Sequence, residues 1–160
     1  MAELTIVAPP GTPQIEMTRE FAAPRELLFR AFTEPELLVQ WLGPRRLTMA
    51  VDYLELRDGG RWRYTHREDD GTEYGFHGVF HGTPSVDGIV QTFEFEGAPG
   101  HVSLETLTFE ERGERTLVRQ NAVYQSVADR DAMIESGMEV GVREGFERLD
   151  EMLAKLVPAR

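Results

Sequence analysis

Gly137-Met-Glu-Val-Gly-Val-Arg-Glu-Gly-Phe-Glu-Arg-Leu-Asp-Glu-Met-Leu-Ala-Lys-Leu156 places its apolar residues at helical spacing. Met138, Val142, Gly145, Leu149, Met152 and Leu156 recur at alternating steps of four and three, with Phe146 and Leu153 beside them. One stripe at this period is the mark of a helix that buries a single face. Glu144, Glu147, Arg148, Asp150, Glu151 and Lys155 fall on the opposite side, which therefore meets water. The helical segment starts near Ser126. Its last twenty residues span roughly 30 Å, about the width of a small domain. Such a helix needs a broad surface to lie on, and the residues before it supply six or seven strands.

Gly137, Gly141 and Gly145 are spaced four apart, so they lie almost on one line of this helix. Each costs about 1 kcal/mol against alanine in a helix interior. Two explanations stand side by side. The glycines allow close packing on the sheet, with a helix break at Gly137, or their missing side chains leave space for a ligand.

Working back from the helix, residues 1–13 carry Pro9, Pro10, Gly11 and Pro13 and read as a flexible leader. One domain is expected over residues 14–158. Gln14 to Phe21 alternates as a first strand, with Ile15, Met17 and Phe21 on one side. Pro24 opens a helix with Leu27, Leu28, Ala31 and Phe32 on its apolar face. Thr33-Glu-Pro-Glu36 has the pattern of a capping box, so a second short helix is expected from Glu34 through Trp41 to Gly43-Pro44.

Strands are expected over Leu47–Leu56, Arg61–His66, the stretch beyond Gly71, Ile89–Phe95, Val102–Phe109 and Thr116–Tyr124. A three-residue loop at Asp69-Asp70-Gly71 would pair Glu68 with Thr72. It sets Trp62 and Tyr64 on one face with Tyr74, Phe76 and Phe80. A two-residue loop would oppose that aromatic set to Gly75, His77 and His81. The buried face fixes register, so the three-residue loop is chosen. Strand, two helices, an antiparallel run and a long helix make an α+β pattern with the helices on one face of a strongly bent sheet.

Composition narrows the functional classes. The chain has 160 residues, 41% of them apolar, enough for a real core. The net charge of −11 repels phosphate backbones and anionic membranes, which argues against nucleic-acid binding. Cysteine is absent, which removes thiolate catalysis and thiolate metal sites and fits a reducing cytoplasm. No signal peptide and no membrane span are expected.

Arg19-Glu-Phe-Ala-Ala-Pro24, Phe32-Thr-Glu-Pro35, Trp41-Leu-Gly-Pro44 and Arg57-Asp-Gly-Gly-Arg-Trp62 occur in that order. Gly78-Val-Phe80, Ser136-Gly-Met138 and the long helix follow. Together, over roughly residues 14 to 156, they resemble the activator-of-Hsp90-ATPase-homologue-like branch of the SRPBCC (START-like, birch-pollen-allergen-like) superfamily. The resemblance implies a helix-grip fold: a curved antiparallel sheet holding the C-terminal helix, two short helices closing one end, and a cavity between. Superfamily members include lipid and hormone carriers, polyketide cyclases and co-chaperone domains, so the resemblance speaks to fold more than to function.

The residues limit the chemistry further. His77 and His81 lie on one side of one strand about 13 Å apart, too far to share a metal. The chosen register turns both to the outer, solvated face. No metal and no cofactor are implied. There is no nucleophile elbow and no phosphate loop. Glu105 shares the parity of Leu107 and Phe109 and so points inward, unless it lies at the sheet end and reaches water. An inward carboxyl must find a partner or take a proton. Arg19, His101 and Tyr64 are the candidate partners. Trp41, Trp62, Tyr64, Phe76, Phe80, Phe93 and Phe95 read either as ordinary core or as cavity wall. Arg45 and Arg46 either flank a mouth that attracts an anion or are surface charge.

Three roles follow. The first is a binder of a small hydrophobic or amphipathic ligand, with the aromatic set as wall, Met138, Gly141 and Val142 as the helix side, and Glu105 as a polar anchor. The second is a cofactor-independent cyclase- or dehydratase-type enzyme using Glu105 or a histidine for proton transfer. The third is a chaperone-interacting module with an exposed apolar patch. A homodimer is left open.

Overall fold

The computed structural model describes residues 3–157. The predicted domain end at Pro158 lies outside them. The elements in chain order are β1 (Thr5–Val7), β2 (Gln14–Phe21), α1 (Arg25–Thr33), α2 (Pro35–Leu38), β3 (Thr48–Leu54), β4 (Arg61–Arg67), β5 (Glu73–Val79), β6 (Ile89–Phe95), β7 (Val102–Arg112), β8 (Arg115–Val123), α3 (Val127–Glu135) and α4 (Met138–Leu156). All eight strands form one antiparallel sheet in the order β1-β2-β8-β7-β6-β5-β4-β3. This is the α+β helix-grip arrangement: a curved sheet along α4, with α1 and α2 inserted between β2 and β3.

The strand count is one above the expected six to seven. Thr5–Val7, expected within a loose leader, is a short edge strand with Ile6 opposite Met17. The leader is tied down at a second place. Arg130 of α3 is buried and donates to the carbonyls of Pro9 and Gln14 at 3.0 and 3.2 Å.

The β4–β5 hairpin has the three-residue loop. The Glu68 N–H donates to the Thr72 carbonyl at 2.9 Å, and Gly71 holds φ +93°, a conformation that favours glycine. Tyr64 therefore faces Phe76. Gly78 is required for a different reason. A Cβ there would come within 1.9 Å of the Thr92 carbonyl, so the missing side chain lets β6 cross close to β5 where the sheet bends.

Thr33 corrects the capping-box reading. It is the last residue of α1, and its hydroxyl donates back to the Phe29 carbonyl at 2.6 Å rather than capping α2. α2 begins with Pro35, which has no N–H to satisfy, and runs only to Leu38. The predicted 126–156 helix is broken where Gly137 adopts φ +84°. Ser126 caps α3 by accepting from the Asp129 N–H at 3.1 Å.

The core sits where α1 and the second half of α4 meet the sheet. Leu28, Ala31, Phe21, Phe146, Leu149 and Leu153 are buried together, and the Phe21 and Phe146 rings meet edge-on at 5.2 Å. The Trp41 indole N–H donates to the Ala31 carbonyl at 3.0 Å, locking the α2 turn onto α1. The apolar stripe of α4 ends earlier than predicted. Leu153 is buried but Leu156 is 41% exposed.

Candidate functional site

Strand alternation brings one parity of β4, β5, β6 and β7 to the concave face. Tyr64 faces Phe76, Phe76 faces Phe95, Phe93 faces Ser103, and Gln91 faces Glu105. The rings form a continuous run: Trp62–Tyr64 at 5.3 Å, Tyr64–Phe76 at 5.2 Å, Phe76–Phe95 at 5.1 Å and Phe76–Phe93 at 5.5 Å. α3 and the first half of α4 stand opposite. Between them lies a cavity of about 940 Å³ whose lining reaches exposed residues at Ala98, His101, Ser136 and Val140. A second, shallower depression of about 400 Å³ near β1 is lined by Glu3, Thr5, Arg19, Glu20 and Arg115 and carries no aromatic wall.

The aromatic set, Glu105 and the helix residues Met138, Gly141 and Val142 all line the larger cavity, but they do different work. Trp41, Trp62 and Phe80 are buried to within a few per cent and act as framework. Tyr64, Phe76, Phe93 and Phe95 are half-buried, with ring surface left facing the hollow. Met138, Gly141 and Val142 form the opposite side, also half-buried.

The glycine line has a more specific use than either explanation offered for it. A Cβ at Gly145 would meet the Trp41 carbonyl at 3.1 Å and the Gly43 nitrogen at 3.2 Å, so α4 packs there against the 41–43 backbone rather than against the sheet. Gly141 is looser, with Pro44 Cδ at 3.5 Å, and Gly137 has nothing near. The helix is thus pinned at Gly145 and progressively freer toward its N-terminus, which is the end that walls the cavity.

Glu105, the fourth residue of β7, is paired with Gln91 on one side and Ala122 on the other and lines the cavity. None of its predicted partners holds it. Arg19 forms a bidentate pair with Asp150 of α4, one bond at 2.8 Å, with its guanidinium 4.6 Å from the Phe21 ring centroid. His101 bonds Asp129 at 2.9 Å. The actual partner is the neutral Gln91, whose amide donates to Glu105 at 3.0 Å. Glu105 is half-buried and lines the cavity. Burial pushes its carboxyl up to about 7, with the Gln91 bond opposing. Burial, and next the Glu105 charge, push the phenols of Tyr64 and Tyr124 well above their ordinary range.

Besides Gln91, sequence reasoning missed His66, Ser103 and Tyr124 in this wall. His66 shares the parity of Trp62 and Tyr64, so the signal was present. It is buried beneath Gly43, and burial, then Arg148, lower its imidazole to about 4. Ser103 is buried two residues before Glu105. Tyr124, just beyond β8, also faces the cavity. His77 lies on the outer face, hydrogen-bonded to Glu96 at 2.9 Å. Arg45 and Arg46 do not offer free charge at the mouth: Arg45 pairs with Glu151 at 2.7 Å and Arg46 with Glu68. Among the described residues no three His, Asp or Glu side chains converge as metal ligands would. No helix among them is long and apolar enough to cross a membrane.

Comparison with known proteins agrees with this fold. A crystal structure of a Rhodobacter sphaeroides protein is 28% identical, covers 96% of this chain and 99% of its own, and superposes with a TM-score of 0.88. The solution structure of an Arthrobacter aurescens protein is 25% identical over 98% of this chain and 93% of its own, with a TM-score of 0.86. The AHSA1 protein of Silicibacter pomeroyi, at 21% identity over 90% of this chain and 99% of its own, shares the fold with a TM-score of 0.71. A search among curated proteins finds no match. The family model described as Activator of Hsp90 ATPase homolog 1-like protein matches residues 22–154, nearly the whole domain. The chain therefore belongs to the Activator of Hsp90 ATPase homolog 1-like family, within the SRPBCC superfamily.

Proposed function

We propose that the protein binds a small hydrophobic or amphipathic molecule between the sheet and α4. The observation that carries this reading is the half-buried ring run Tyr64, Phe76, Phe93 and Phe95 facing a hollow of about 940 Å³. Rings serving only as core would be closed over, as Trp41 and Phe21 are. A cavity of that size, largely apolar with a few convergent polar groups, has the character of a small-molecule site.

The enzyme reading has less support. Glu105 is poised for proton transfer, but its hydrogen-bond partner Gln91 cannot titrate, and no second acid or base is bonded to it among the described residues. The chaperone-module reading needs a broad exposed apolar face. The outer sheet face instead carries Arg63, Glu96, His77, Glu16 and Arg119 in ion pairs, with Leu104, Val123 and Val7 as exposed apolar residues among them.

The test is titration with a solvatochromic naphthalene dye, followed by native mass spectrometry. One-to-one uptake with a blue-shifted emission is expected, weakened when Val142→Trp projects a ring into the hollow from α4. Absence of uptake, or uptake indifferent to Val142→Trp, would remove the proposal.

A further inference from the structure

Among the described residues Glu105 meets no cationic side chain. Its hydrogen-bond partner is the neutral Gln91 amide, and among the described residues it enters no ion pair. The arginines nearest the cavity are committed elsewhere. Arg19 is held by Asp150, Arg63 by Glu96 and Asp52, and Arg46 by Glu68. Arg148 donates to the carbonyls of Gly43 and Pro44, and Arg130 to those of Pro9 and Gln14. Titratable groups that other elements bring to the cavity lining do not supply the charge either. From β4 come Tyr64 and His66, the latter held neutral; from beyond β8 comes Tyr124; from α3 comes Asp129, already bonded to His101.

On the inner face Glu105 stands between Gln91 and Ala122 on the flanking strands, with Phe93 of β6 diagonal to it. Phe93 faces Ser103, one step along the inner face from Glu105, and Phe76 lies 5.5 Å beyond Phe93. A buried carboxylate is costly unless paired with an opposite charge. Aromatic faces attract organic cations through the ring quadrupole. We infer that the cavity takes an amphipathic organic cation, its ammonium head against Glu105 and its apolar body along Phe93 and Phe76. This rests on the ligand-binding reading above and narrows it to a chemical class. The ligand completes the ion pair that the fold leaves half-made, and the net charge of −11 draws such cations to the protein. The raised protonation range of Glu105 fits a site that sheds its proton when the ligand arrives.

The experiment compares (naphthalen-2-ylmethyl)trimethylammonium with its neutral carbon isostere, 2-neopentylnaphthalene, and with 2-naphthylmethanol, by fluorescence titration at pH 5.5 and 8.5. The quaternary head does not titrate, so any pH effect on its binding belongs to the protein. At pH 8.5 the cation should bind at least tenfold tighter than either neutral probe, and it alone should weaken at least tenfold at pH 5.5. Glu105→Gln, with an unchanged circular dichroism spectrum, should abolish both the preference and the pH effect while keeping the neutral probes bound. Equal binding of all three, tighter binding of the alcohol, or a cation preference that survives in Glu105→Gln would overturn the inference while leaving the cavity reading intact. Failure of all three probes to bind would overturn both.

Discussion

Gln91 and Glu105 are cross-strand neighbours on the inner face of the sheet, joined by a 3.0 Å hydrogen bond from amide to carboxyl. One neutral donor does not compensate a buried charge, so the pair has a consequence for stability. The folded-state carboxyl titrates near 7, above its ordinary value of 4.5. Below pH 4.5 it is protonated in both folded and unfolded chains and costs nothing. Between 4.5 and 7 the unfolded chain alone loses the proton, so stability falls as pH rises; above 7 the loss is complete. The full effect is about 1–3 kcal/mol, toward the lower end where water enters the cavity. Urea unfolding should show this decline in the native protein and a flatter profile in Glu105→Gln. The same decline in both would place its origin elsewhere.

The three helix glycines should respond differently to alanine. At Gly145 the new Cβ meets backbone at 3.1 Å, which cannot move aside, so Gly145→Ala should destabilise by about 1–3 kcal/mol despite better helix propensity. At Gly141 the contact is ordinary, and alanine should stabilise by about 0.5–1 kcal/mol. At Gly137, φ +84° makes alanine unfavourable by about 1 kcal/mol although space is open. Thermal midpoints in the order Gly141→Ala, native, Gly137→Ala, Gly145→Ala check this; stabilisation at Gly145 would refute the pinning of α4.

Arg19 and Asp150 tie β2 to α4. Arg19 is 9% exposed, so Asp150→Asn strands a guanidinium without its counter-charge. The cost should be about 2 kcal/mol, moderated because Asp150 is half exposed. Chemical denaturation measures it, and an unchanged midpoint would show that water already screens the pair.

Arg130 fastens α3 to the 9–14 segment. Arg130→Met should speed amide exchange in Thr5–Val7 and α3 by tenfold or more while leaving β6 and β7 unaffected. Uniform change across the sheet would mean that the residue supports the core as a whole.

Much of this architecture was legible because parity and period carry it. Gly71 set the hairpin register, and with it the side of the sheet on which Tyr64 and Phe76 lie. The parity of Glu105 with Leu107 set its inward direction. Partners were less legible. Which group meets Glu105 depends on how β6 and β7 align through the 96–101 turn, and no residue there dictates that alignment beforehand. Thr5–Val7 is too short to show alternation, so its pairing with β2 is a tertiary effect. Thr33 fits both a cap and a back-bonding helix end, and the following proline decided between them. The contact of Gly145 with Trp41–Gly43 joins residues about a hundred apart, beyond the reach of any local pattern.

The central claim is that the ring-lined hollow is where a ligand sits. Intermolecular nuclear Overhauser effects from a bound naphthalene probe test it most directly. Contacts from the probe to the rings of Phe76 and Phe93 and to the methyls of Met138 and Val142 are predicted. A bound probe whose contacts fall on the outer sheet face, around Leu104 and Val123, would contradict the account.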